Sequence, residues 1–366
     1  MCWLKMYRVV LIFALAAALT GCASTAEKSK PFVPPVYPPP PEQPRFIFEM
    51  SLRHSAQVTA DPKEARLRYL LTGELERGES LQKPFDVAAC QGKVFVSDSV
   101  RRRVFLFDVA GRGFSSIGEV EPGTLRKPLG LATDGSCNLY VADQTLERVM
   151  VYDQAGGFLR AFGGPKVFHR LSHVVVNAEG TKLFAVDTGG VGTDEHRIRV
   201  FDIASGKHLN DIGKRGKGPG ELNLPRDIAL APDGNLYVVD GGNFRVMVFR
   251  PDGTFVRNFG KAGAGMGQFS RPKGIAIDKS GNVYVSDTAF GNFQIFTADG
   301  QLLLFVGNRS NVDAPGNYTL PAGIDVDEDG RIYFVDQFFR RIDVFRPAAL
   351  AENAGFLGAR LTRDGK

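Results

Sequence analysis

One pattern of residues occurs six times along the chain, and this repetition restricts the possible folds more than any other feature. Its clearest copy lies at 224–249 and reads LPRDIALAPDGNLYVVDGGNFRVMVF. It contains an alternating run, a Pro-Asp-Gly turn at 232–234, a second β-rich run that ends in Asp240, and a third run that begins at Arg245. A fourth run follows at 254–259. Each copy therefore predicts a four-stranded antiparallel meander of about 45 residues.

The Asp at the end of the second strand gives the spacing of the copies, which is 45, 44, 53, 47 and 49 residues. This residue is Asp98, Asp143, Asp187, Asp240, Asp287 and Asp336. One such sheet cannot bury both faces, whereas a ring of sheets can. We therefore predict an all-β fold, a six-bladed β-propeller of four-stranded antiparallel blades, at 84–348. Its first strands open with Pro84, Pro128, Pro225, Pro272 and Pro321, and Ser172 is predicted to take that place in blade three.

The N-terminus has a different composition. Lys5 and Arg8 precede an apolar run at 9–19, which is too short for a permanent membrane helix but suits a signal peptide. The next residues, Leu-Thr-Gly-Cys at 19–22, resemble the lipobox of bacterial lipoproteins. This resemblance implies that a signal peptide at 1–21 is removed and that Cys22 is lipidated. Ala23 after the Cys implies the outer membrane of a Gram-negative bacterium, and an ordinary secretory signal is the alternative.

The segments around the repeats are predicted to connect and close the ring. A Pro-rich tether at 22–44 is expected to form extended polyproline II. The sixth repeat has no convincing fourth strand of its own. The segment 45–83 is therefore expected to supply a ring-closing strand at 45–52 and a short helix at 61–71. The C-terminal tail, 349–366, is predicted to be a partly ordered appendage.

The net charge and the cysteine residues limit the functions that the chain can have. The formal net charge is +5, and removal of Lys5 and Arg8 leaves 43 basic against 40 acidic side chains, so composition predicts no nucleic-acid partner. Cys90 and Cys137 are predicted in equivalent turns of blades one and two, on one face of the disc. Export would permit a disulfide between them. The sequence leaves this possible disulfide and two free thiols both open.

The pattern Pro-x-Gly/Asp-Ile-Ala, Asp-Gly-Asn-Leu-Tyr-Val-x-Asp and Asn-x-Arg-Val-x-Val-Phe is followed by Gly-rich crossings such as GKRGKGPGELNLP and GKAGAGMGQFSRP. It resembles the NHL repeat family over 84–346, most closely in blades four and five. The resemblance implies a propeller that serves mainly as a platform for partners and only sometimes as an enzyme.

Each repeat also carries a polar pair across the turn between its second and third strands. The pairs are Asp98 and Arg103, Asp143 and Arg148, Asp187 and Arg197, Asp240 and Arg245, Asp287 and Asn292, and Asp336 and Arg341. We interpret them as structural. The carboxylate is expected to accept backbone amides of its turn, and the Arg is expected to pair with the carboxylate.

The ring axis is the place where a metal would bind. Asp86 and Asp227 are predicted to open their strands there, beside Gly130, Gly274 and Gly323. Blades four to six contain none of the five His residues, so a His-ligated zinc site like that of the amidating lyases is not predicted. Two carboxylates are too few for a calcium cage like that of propeller lactonases. No cofactor or catalytic residue is therefore predicted, although axial calcium stays open.

A binding face is predicted where the crossings between blades meet the turns between second and third strands. The crossings at 163–172, 213–226 and 260–273 are basic, and Glu221 is their single acid. The predicted face comprises Lys214, Arg215, Lys217, Arg226, Lys261, Arg271 and Lys273, with Phe244, Phe290, Phe338 and Phe339 as exposed aromatics. The alternative is that the charges only solvate the loops and the rings fold onto neighbouring blades.

These features favour an outer-membrane-anchored, monomeric binding or scaffolding module over an enzyme. Exposed rings beside fixed cations suit an acidic envelope protein or an anionic polysaccharide. The alternative is a metal-dependent hydrolase or lyase, lactonase-like or amidating-lyase-like, with its site at the axis.

Overall fold

The chain forms a ring of six four-stranded antiparallel sheets, which confirms the all-β six-bladed propeller predicted from the repeats. The computed structural model describes residues 32–59, 62–73, 78–177 and 179–358. The predicted signal peptide and Cys22 lie outside these residues, as does the end of the predicted tail. In the described part of the chain, no helix is long and apolar enough to cross a membrane.

Four short elements precede the first complete blade. They are the strands β1 (Val36–Tyr37) and β2 (Phe46–Leu52) and the helices α1 (Ala56–Thr59) and α2 (Pro62–Thr72). Helix α2 agrees with the prediction at 61–71 to within one residue at each end. Pro62 occupies the first helical position, where its fixed φ favours a helix start and its missing N–H costs no hydrogen bond.

The blades then follow one another in chain order. Blades one to three consist of β3 (Pro84–Cys90), β4 (Lys93–Asp98), β5 (Arg103–Asp108), β6 (Gly113–Ile117), β7 (Pro128–Thr133), β8 (Leu139–Asp143), β9 (Arg148–Tyr152), β10 (Phe158–Gly163), β11 (Leu171–Val176), β12 (Lys182–Asp187), β13 (Arg197–Asp202) and β14 (His208–Ile212). Blades four and five consist of β15 (Pro225–Leu230), β16 (Leu236–Asp240), β17 (Arg245–Phe249), β18 (Phe255–Phe259), β19 (Pro272–Ile277), β20 (Val283–Asp287), β21 (Asn292–Phe296) and β22 (Leu302–Val306).

Blade six is assembled from both ends of the propeller. Before it, the crossing from blade five holds a short parallel pair, β23 (Asn308–Arg309) and β24 (Asn317–Tyr318). Its first three strands are β25 (Pro321–Val326), β26 (Ile332–Asp336) and β27 (Arg341–Pro347). The fourth is β2, which pairs antiparallel with β27 and places Phe48 opposite Phe345. The predicted closure of the ring by the N-terminal strand is thus confirmed.

The second strand of each blade lies inside its sheet, and both faces of that sheet pack against neighbouring blades. This position explains the apolar sequences of the second strands. In β16, Leu236–Asp240, every residue is buried, because both faces of the sheet contact other sheets. The apolar residues form six clusters, one at each interface between adjacent blades. Between blades five and six, Phe293 and Phe334 pack edge to face with ring centroids 4.8 Å apart.

The register of blade three corrects one prediction. In five blades the repeated Pro faces the repeated Asp across the first two strands, as Pro225 faces Asp240. In blade three, Leu171 faces Asp187, so Leu171 and not Ser172 takes the place of Pro. The predicted alignment of this blade is therefore shifted by one residue, which moves every later side chain of β11 to a different position in the ring.

Two terminal segments are more tightly held than predicted. Val36 and Tyr37, in the predicted tether, pair with β2, and the Tyr37 ring packs 5.7 Å from the Phe345 ring. The prediction of an isolated spacer over 22–44 is therefore wrong for these residues. In the tail, Leu357 is fully buried in the cluster between blades six and one. Within the described residues, the tail is therefore held against the ring by Leu357, while most of 351–356 is exposed.

The two cysteines that the sequence left open are joined. Cys90 ends β3, and Cys137 lies in the turn before β8 of the next blade. They form a disulfide with a Cα–Cα distance of 5.7 Å. This bond links blades one and two at the ends of their first strands.

Candidate functional site

The centre of the ring is closed by three charged side chains, here called the axial triad: Asp86, His173 and Asp227. They come from blades one, three and four, each two residues after the residue that begins its first strand. His173 Nε2 lies 2.6 Å from Asp86 Oδ2, and His173 Nδ1 lies 2.7 Å from Asp227 Oδ1. All three residues are buried. The prediction that Asp86 and Asp227 meet at the axis is confirmed, whereas the His between them was not foreseen.

The other three blades carry glycine at the same position, and the triad needs the space. A Cβ at Gly130 would collide with the His173 ring, and a Cβ at Gly323 would collide with Asp86. A Cβ at Gly274 would lie 2.8 Å from the carbonyl oxygen of Ala322. Three polar side chains and three glycines therefore fill the axis completely.

Backbone amides hold the two carboxylates in place. Asp86 Oδ2 accepts a hydrogen bond from the Leu131 amide at 2.7 Å, and Asp227 Oδ2 accepts one from the Ile275 amide at 2.8 Å. Each carboxylate therefore connects its own blade to the next one. These bonds orient both carboxylates before they meet the imidazole, so the triad is part of the ring closure as well as of the site.

The geometry makes His173 a cation. Burial alone would lower the pKa of its imidazole, but the nearby Asp227 and Asp86 carboxylates outweigh burial and raise this pKa well above 6.5. Burial also raises the pKa of Asp227, against the opposing effect of His173. Because both ring nitrogens face carboxylate oxygens, neither offers a lone pair to a metal.

The triad forms the floor of an open funnel of about 510 Å³. Six basic side chains from blades one to five, here called the basic ring, border it: Lys83, Lys127, Arg170, Arg226, Arg271 and Lys273. Asp86 and Asp227 are the acids among its described lining residues. Burial lowers the pKa of the Arg226 guanidinium, and repulsion from Arg170 and Arg271 lowers it further. The cations are thus close enough to act on one another, and an entering anion would relieve that repulsion.

A layer of neutral polar side chains, here called the polar ring, lies between the cations. It comprises Ser99, Gln144, Thr188, Thr288 and Gln337, each directly after the repeated Asp of its blade. Gln337 accepts a 3.4 Å hydrogen bond from Lys273 Nζ through Oε1, whereas its buried Nε2 has no partner in the described part of the chain. A buried amide donor without an acceptor is costly, and a ligand oxygen in the funnel would satisfy it.

Lys273 is the basic residue that is most restricted by its surroundings. Its ammonium group lies 4.7 Å from the centroid of the Phe85 ring. Burial lowers the pKa of Lys273 to about 8. Arg226 and Lys83 lower it as well, while Asp86 and Asp336 oppose them. Lys273 therefore titrates in a pH range in which the neighbouring arginines stay charged.

The structure divides the predicted binding face into two parts. Arg226, Arg271 and Lys273 belong to the basic ring, which also contains two lysines, Lys83 and Lys127, that were not predicted. The other predicted cations, Lys214, Arg215, Lys217 and Lys261, are exposed on the crossing loops. Two of them have acidic neighbours: Lys214 Nζ lies 3.5 Å from Glu221, and Arg215 lies 3.6 Å from Asp194.

The predicted aromatics differ in exposure. Phe338 is 56% exposed, and its ring packs against Phe339 with centroids 5.1 Å apart. Phe290 is half-buried. Phe244 packs against the apolar cluster between blades four and five, so the prediction of an exposed ring is wrong for this residue. Its left-handed backbone, with φ 58°, turns the side chain toward the core.

The acids of the polar turn pairs follow the prediction in all six blades. In the second blade, for example, the Asp143 carboxylate accepts hydrogen bonds from the amides of Arg126, Lys127, Thr145 and Leu146. The corresponding bonds form at Asp98, Asp187, Asp240, Asp287 and Asp336. These carboxylates fix the loops that carry the basic ring.

The prediction that each Arg pairs with its own Asp holds in two blades and is wrong in others. Arg245 Nε donates to Asp240 at 2.9 Å, and Arg197 lies 3.5 Å from Asp187. The partners of Arg103 are Glu79 and Glu119, and those of Arg341 are Asp313 and Asp343. Arg148 and Asn292 pair with Asp143 and Asp287 through the backbone, and the described residues show no side-chain bond between them.

A second cavity, of about 260 Å³, lies on the other side of the triad. Most of its lining residues are apolar, and its charged residues beyond the triad are Asp325, Asp327, Glu328 and Lys279. Burial raises the pKa of Asp325 to about 8, although it accepts hydrogen bonds from the amides of Ala89 and Val326. Burial also raises the pKa of Asp327 to about 6. Acids therefore outnumber cations in this cavity, whereas cations outnumber acids in the funnel.

The donor set of the axis does not fit a resident metal. Both carboxylates of the triad already contact an imidazolium and backbone amides, and the imidazole offers no lone pair. Within the described ranges, no three His, Cys, Asp or Glu side chains are arranged to hold a metal ion. The side chains of the triad are therefore better suited to closing the axis than to binding zinc or calcium there.

Comparisons with known proteins agree with this architecture. A family model described as "DUF5128: 6-bladed beta-propeller" matches residues 225–287, which span blade four and half of blade five. No curated protein sequence matches the chain. The NHL resemblance remains a prediction, since the match is to a differently described family.

Similar solved structures include enzymes with different chemistries. A gluconolactonase from Xanthomonas campestris is 17% identical, with a TM-score of 0.55, over 73% of this chain and 86% of its own. A hydrazine synthase of Kuenenia stuttgartiensis is 15% identical, with a TM-score of 0.52, over 74% and 97%. A virginiamycin B lyase from Staphylococcus aureus is 14% identical, with a TM-score of 0.52, over 74% and 83%. At these identities the similarity establishes the fold alone.

Proposed function

We propose that this propeller is a binding module that captures an acidic polysaccharide of the cell envelope at its axial funnel. The observation that carries the proposal is the basic ring: six cations from five blades around one opening, with no acid beside them in the described lining except those of the triad. Such a ring attracts anions before contact and holds them after it.

A polysaccharide fits the funnel better than an acidic protein surface does. The opening is concave, and its neutral side chains are hydroxyls and amides, which form hydrogen bonds with sugar hydroxyls. The exposed cations of the crossing loops, such as Lys217 and Lys261, extend the positive surface outward along a polymer. An acidic protein partner is the alternative outcome of the test below.

The test reverses three exposed arginines of the basic ring, Arg170, Arg226 and Arg271, to Glu. Binding to immobilised polygalacturonate is measured at several salt concentrations. The wild type is expected to bind in a salt-sensitive manner, and the triple variant is expected to lose binding by at least about a hundredfold, since three attractive contacts become repulsive.

The control changes charge equally on the other face. Lys182, Lys207 and Arg250 are exposed and lie at strand ends away from the funnel. Their reversal to Glu is expected to leave binding within about twofold. Equal losses in both triple variants would contradict the proposal. Polyglutamate that displaces polygalacturonate from the wild type at lower concentration would favour the acidic protein instead.

The position of the module in the cell is part of the same proposal. Lipidation at Cys22 would anchor the domain to the outer membrane, and the charge of the funnel would then act on polymers near that surface. Two checks are acyl labelling and membrane fractionation. Cys22→Ala should abolish the label and release the protein from the membrane fraction; a variant that stays in the labelled membrane pool would contradict the anchor.

A further inference from the structure

Building on the proposed function, we infer that the funnel receives one terminal acidic sugar unit of the polymer, which enters end-on. Its carboxylate would lie at the level of the basic ring, and its hydroxyl groups would point to the polar ring and the floor. The inference rests on the closed floor, the size of the funnel and the order in which its charges are arranged.

The closed floor excludes a polymer that passes through the ring. The axial triad spans the centre with contacts of 2.6 and 2.7 Å, and the backbone at the three glycines leaves no room for even a Cβ. A chain that enters the funnel must therefore stop there. A chain that lies across the rim would contact only the outermost cations.

The volume suits a single unit and not a folded partner. About 510 Å³ lies within the range of pockets that enclose small molecules, roughly 300–1,000 Å³. The walls belong to first strands and tight turns, whose amides are bound to the repeated Asp residues. Such walls are rigid, so the pocket exists before the ligand arrives and little binding energy is needed to order it.

The charges are arranged in layers that distinguish the ends of a hydroxy acid. The cations surround the mouth, while Asp86 and Asp227 lie at the floor. The oxygen atoms of these two carboxylates favour the hydroxyl groups of a ligand, which can donate hydrogen bonds, over its carboxylate, which cannot. A sugar acid can satisfy both layers at once, whereas a simple inorganic anion can satisfy only the first.

Gln337 lies beside the basic ring, since its backbone amide donates to the carbonyl of Leu320, and it links the inference to one side chain. Its Nε2 donor is buried, lies in the funnel wall and lacks an acceptor in the described structure. Its Oε1 contacts Lys273, so the amide orientation is set by a member of the basic ring. A ligand oxygen within reach of both Lys273 and Gln337 would complete the hydrogen bonds of this amide.

The first experiment compares free galacturonate, neutral galactose and inorganic phosphate as competitors of polygalacturonate binding. Galacturonate is expected to displace the polymer, galactose to fail, and phosphate to compete only weakly. Gln337→Met is expected to lower the affinity for galacturonate by about fivefold, because one hydrogen bond is lost. The matched variant Lys207→Gln, at an exposed position before β14 on the face away from the funnel, is expected to leave galacturonate binding within about twofold.

The second experiment separates end-on from side-on binding. Polygalacturonate is cut to several mean lengths, and the fragments compete at equal mass concentration. End-on binding predicts that shorter fragments compete better, because they offer more chain ends. Side-on binding predicts the reverse, because long chains cover more cations.

These outcomes keep the inference distinct from the proposed function. If the polymer binds and the triple Arg variant loses it, but galacturonate does not compete or long chains compete better, the end-on inference is wrong and the proposed function stands. If polygalacturonate does not bind the wild type at all, both fail together.

Discussion

At one end of the propeller axis six cations border an open funnel, and at the other end a smaller cavity is lined by three acids beyond the triad, Asp325, Asp327 and Glu328, and by Lys279. The same first strands line both ends, and one layer of side chains, the axial triad, separates them. Each end holds an ionisable group with a strongly shifted pKa, a base in the funnel and an acid in the other cavity. The pKa of Lys273 is lowered to about 8, and that of Asp325 is raised to about 8. Burial is the main cause of both shifts.

This difference shows how a repeat fold can specialise without changing its backbone. The residues directly beside the repeated Pro lie at the mouth, the second residue after it lies at the axis, and the fourth lies in the opposite cavity, as Lys273, Gly274 and Ala276 do in blade five. Each position can vary on its own, because the repeated Asp, such as Asp287, and its amide bonds maintain the turn. The following predictions test how far the two ends are independent.

The largest effect is expected from removing the layer that separates the ends. His173→Ala leaves Asp86 and Asp227 buried without their cation, and we expect the free energy of unfolding to fall by about 3–5 kcal/mol. Denaturant unfolding measures this loss. His169→Ala, an exposed His in the same blade, is the control and should cost less than about 0.5 kcal/mol.

The pH dependence of that loss has a definite sign. The folded pKa of His173 is raised, so its stabilising contribution is complete below the unfolded value of about 6.5 and decreases as the pH rises through the folded value. The difference between wild type and His173→Ala should therefore shrink toward high pH. If the stability difference between wild type and His173→Ala stays constant from pH 6.5 to much higher pH, the imidazolium at the axis is contradicted.

The disulfide stabilises the strand ends away from the funnel. The variant with both Cys90→Ser and Cys137→Ser is expected to lose about 2–4 kcal/mol of unfolding free energy, because the unfolded chain regains the freedom of the closed loop. Polygalacturonate binding should be unchanged, since the funnel loops are held by their own Asp residues. Loss of binding in the double variant, at a temperature where it is folded, would show that the two ends are coupled.

The charge of the funnel should respond to pH through Lys273. Anion binding favours its protonated form, so affinity for polygalacturonate should fall by about tenfold from pH 7 to pH 9 as this group, with its pKa near 8, loses its proton. Lys273→Arg keeps the charge and should bind nearly equally at both pH values. An equal decline in wild type and variant would assign the effect to another group.

The smallest effect is expected in the opposite cavity. The folded pKa of Asp325 is raised, so the folded state holds more protons than the unfolded chain, and stability should decline as the pH rises from about 4 to about 8. Asp325→Asn should remove part of this decline, by less than about 1 kcal/mol because the residue is partly exposed to the open cavity. Thermal unfolding at pH 5 and pH 8 measures how much stability each protein loses between the two pH values. Equal losses in wild type and Asp325→Asn would contradict a raised pKa of Asp325.

Features that depend on the repeat itself could be predicted from the sequence. The spacing of the Asp residues indicated six blades, and the lack of a fourth strand after 341–347 indicated the closure by β2. The axial placement of Asp86 and Asp227 followed from the alignment of the first strands. These predictions succeed because each uses a position that is sampled six times.

Features that depend on a single blade or on distant segments could not be predicted in this way. His173 was missed because blade three lacks the Pro and was aligned on Ser172, whereas Leu171 is the residue that faces Asp187. An alignment of blade three on Leu171 would have placed this His at the axis. The partners of Arg103 and Arg341, such as Glu79 and Asp313, come from segments outside the repeat unit. Lys83 and Lys127 were also missed, although they precede Pro84 and Pro128 as Arg271 precedes Pro272, so the alignment of the first strands could have placed them in the basic ring.

The pairing of the N-terminal strands also determines how tension on the N-terminal segment would enter the propeller. A pull applied before Pro35 acts first on β1, which is held by two paired positions and by the ring of Tyr37 against Phe345. The ladder between β2 and β27 has six paired positions, so β1 is the element expected to detach first. Because β1 lies outside the four strands that close blade six, it can peel away and re-form while the ring stays shut. The N-terminal segment would therefore lengthen by release of β1 before the ring opens.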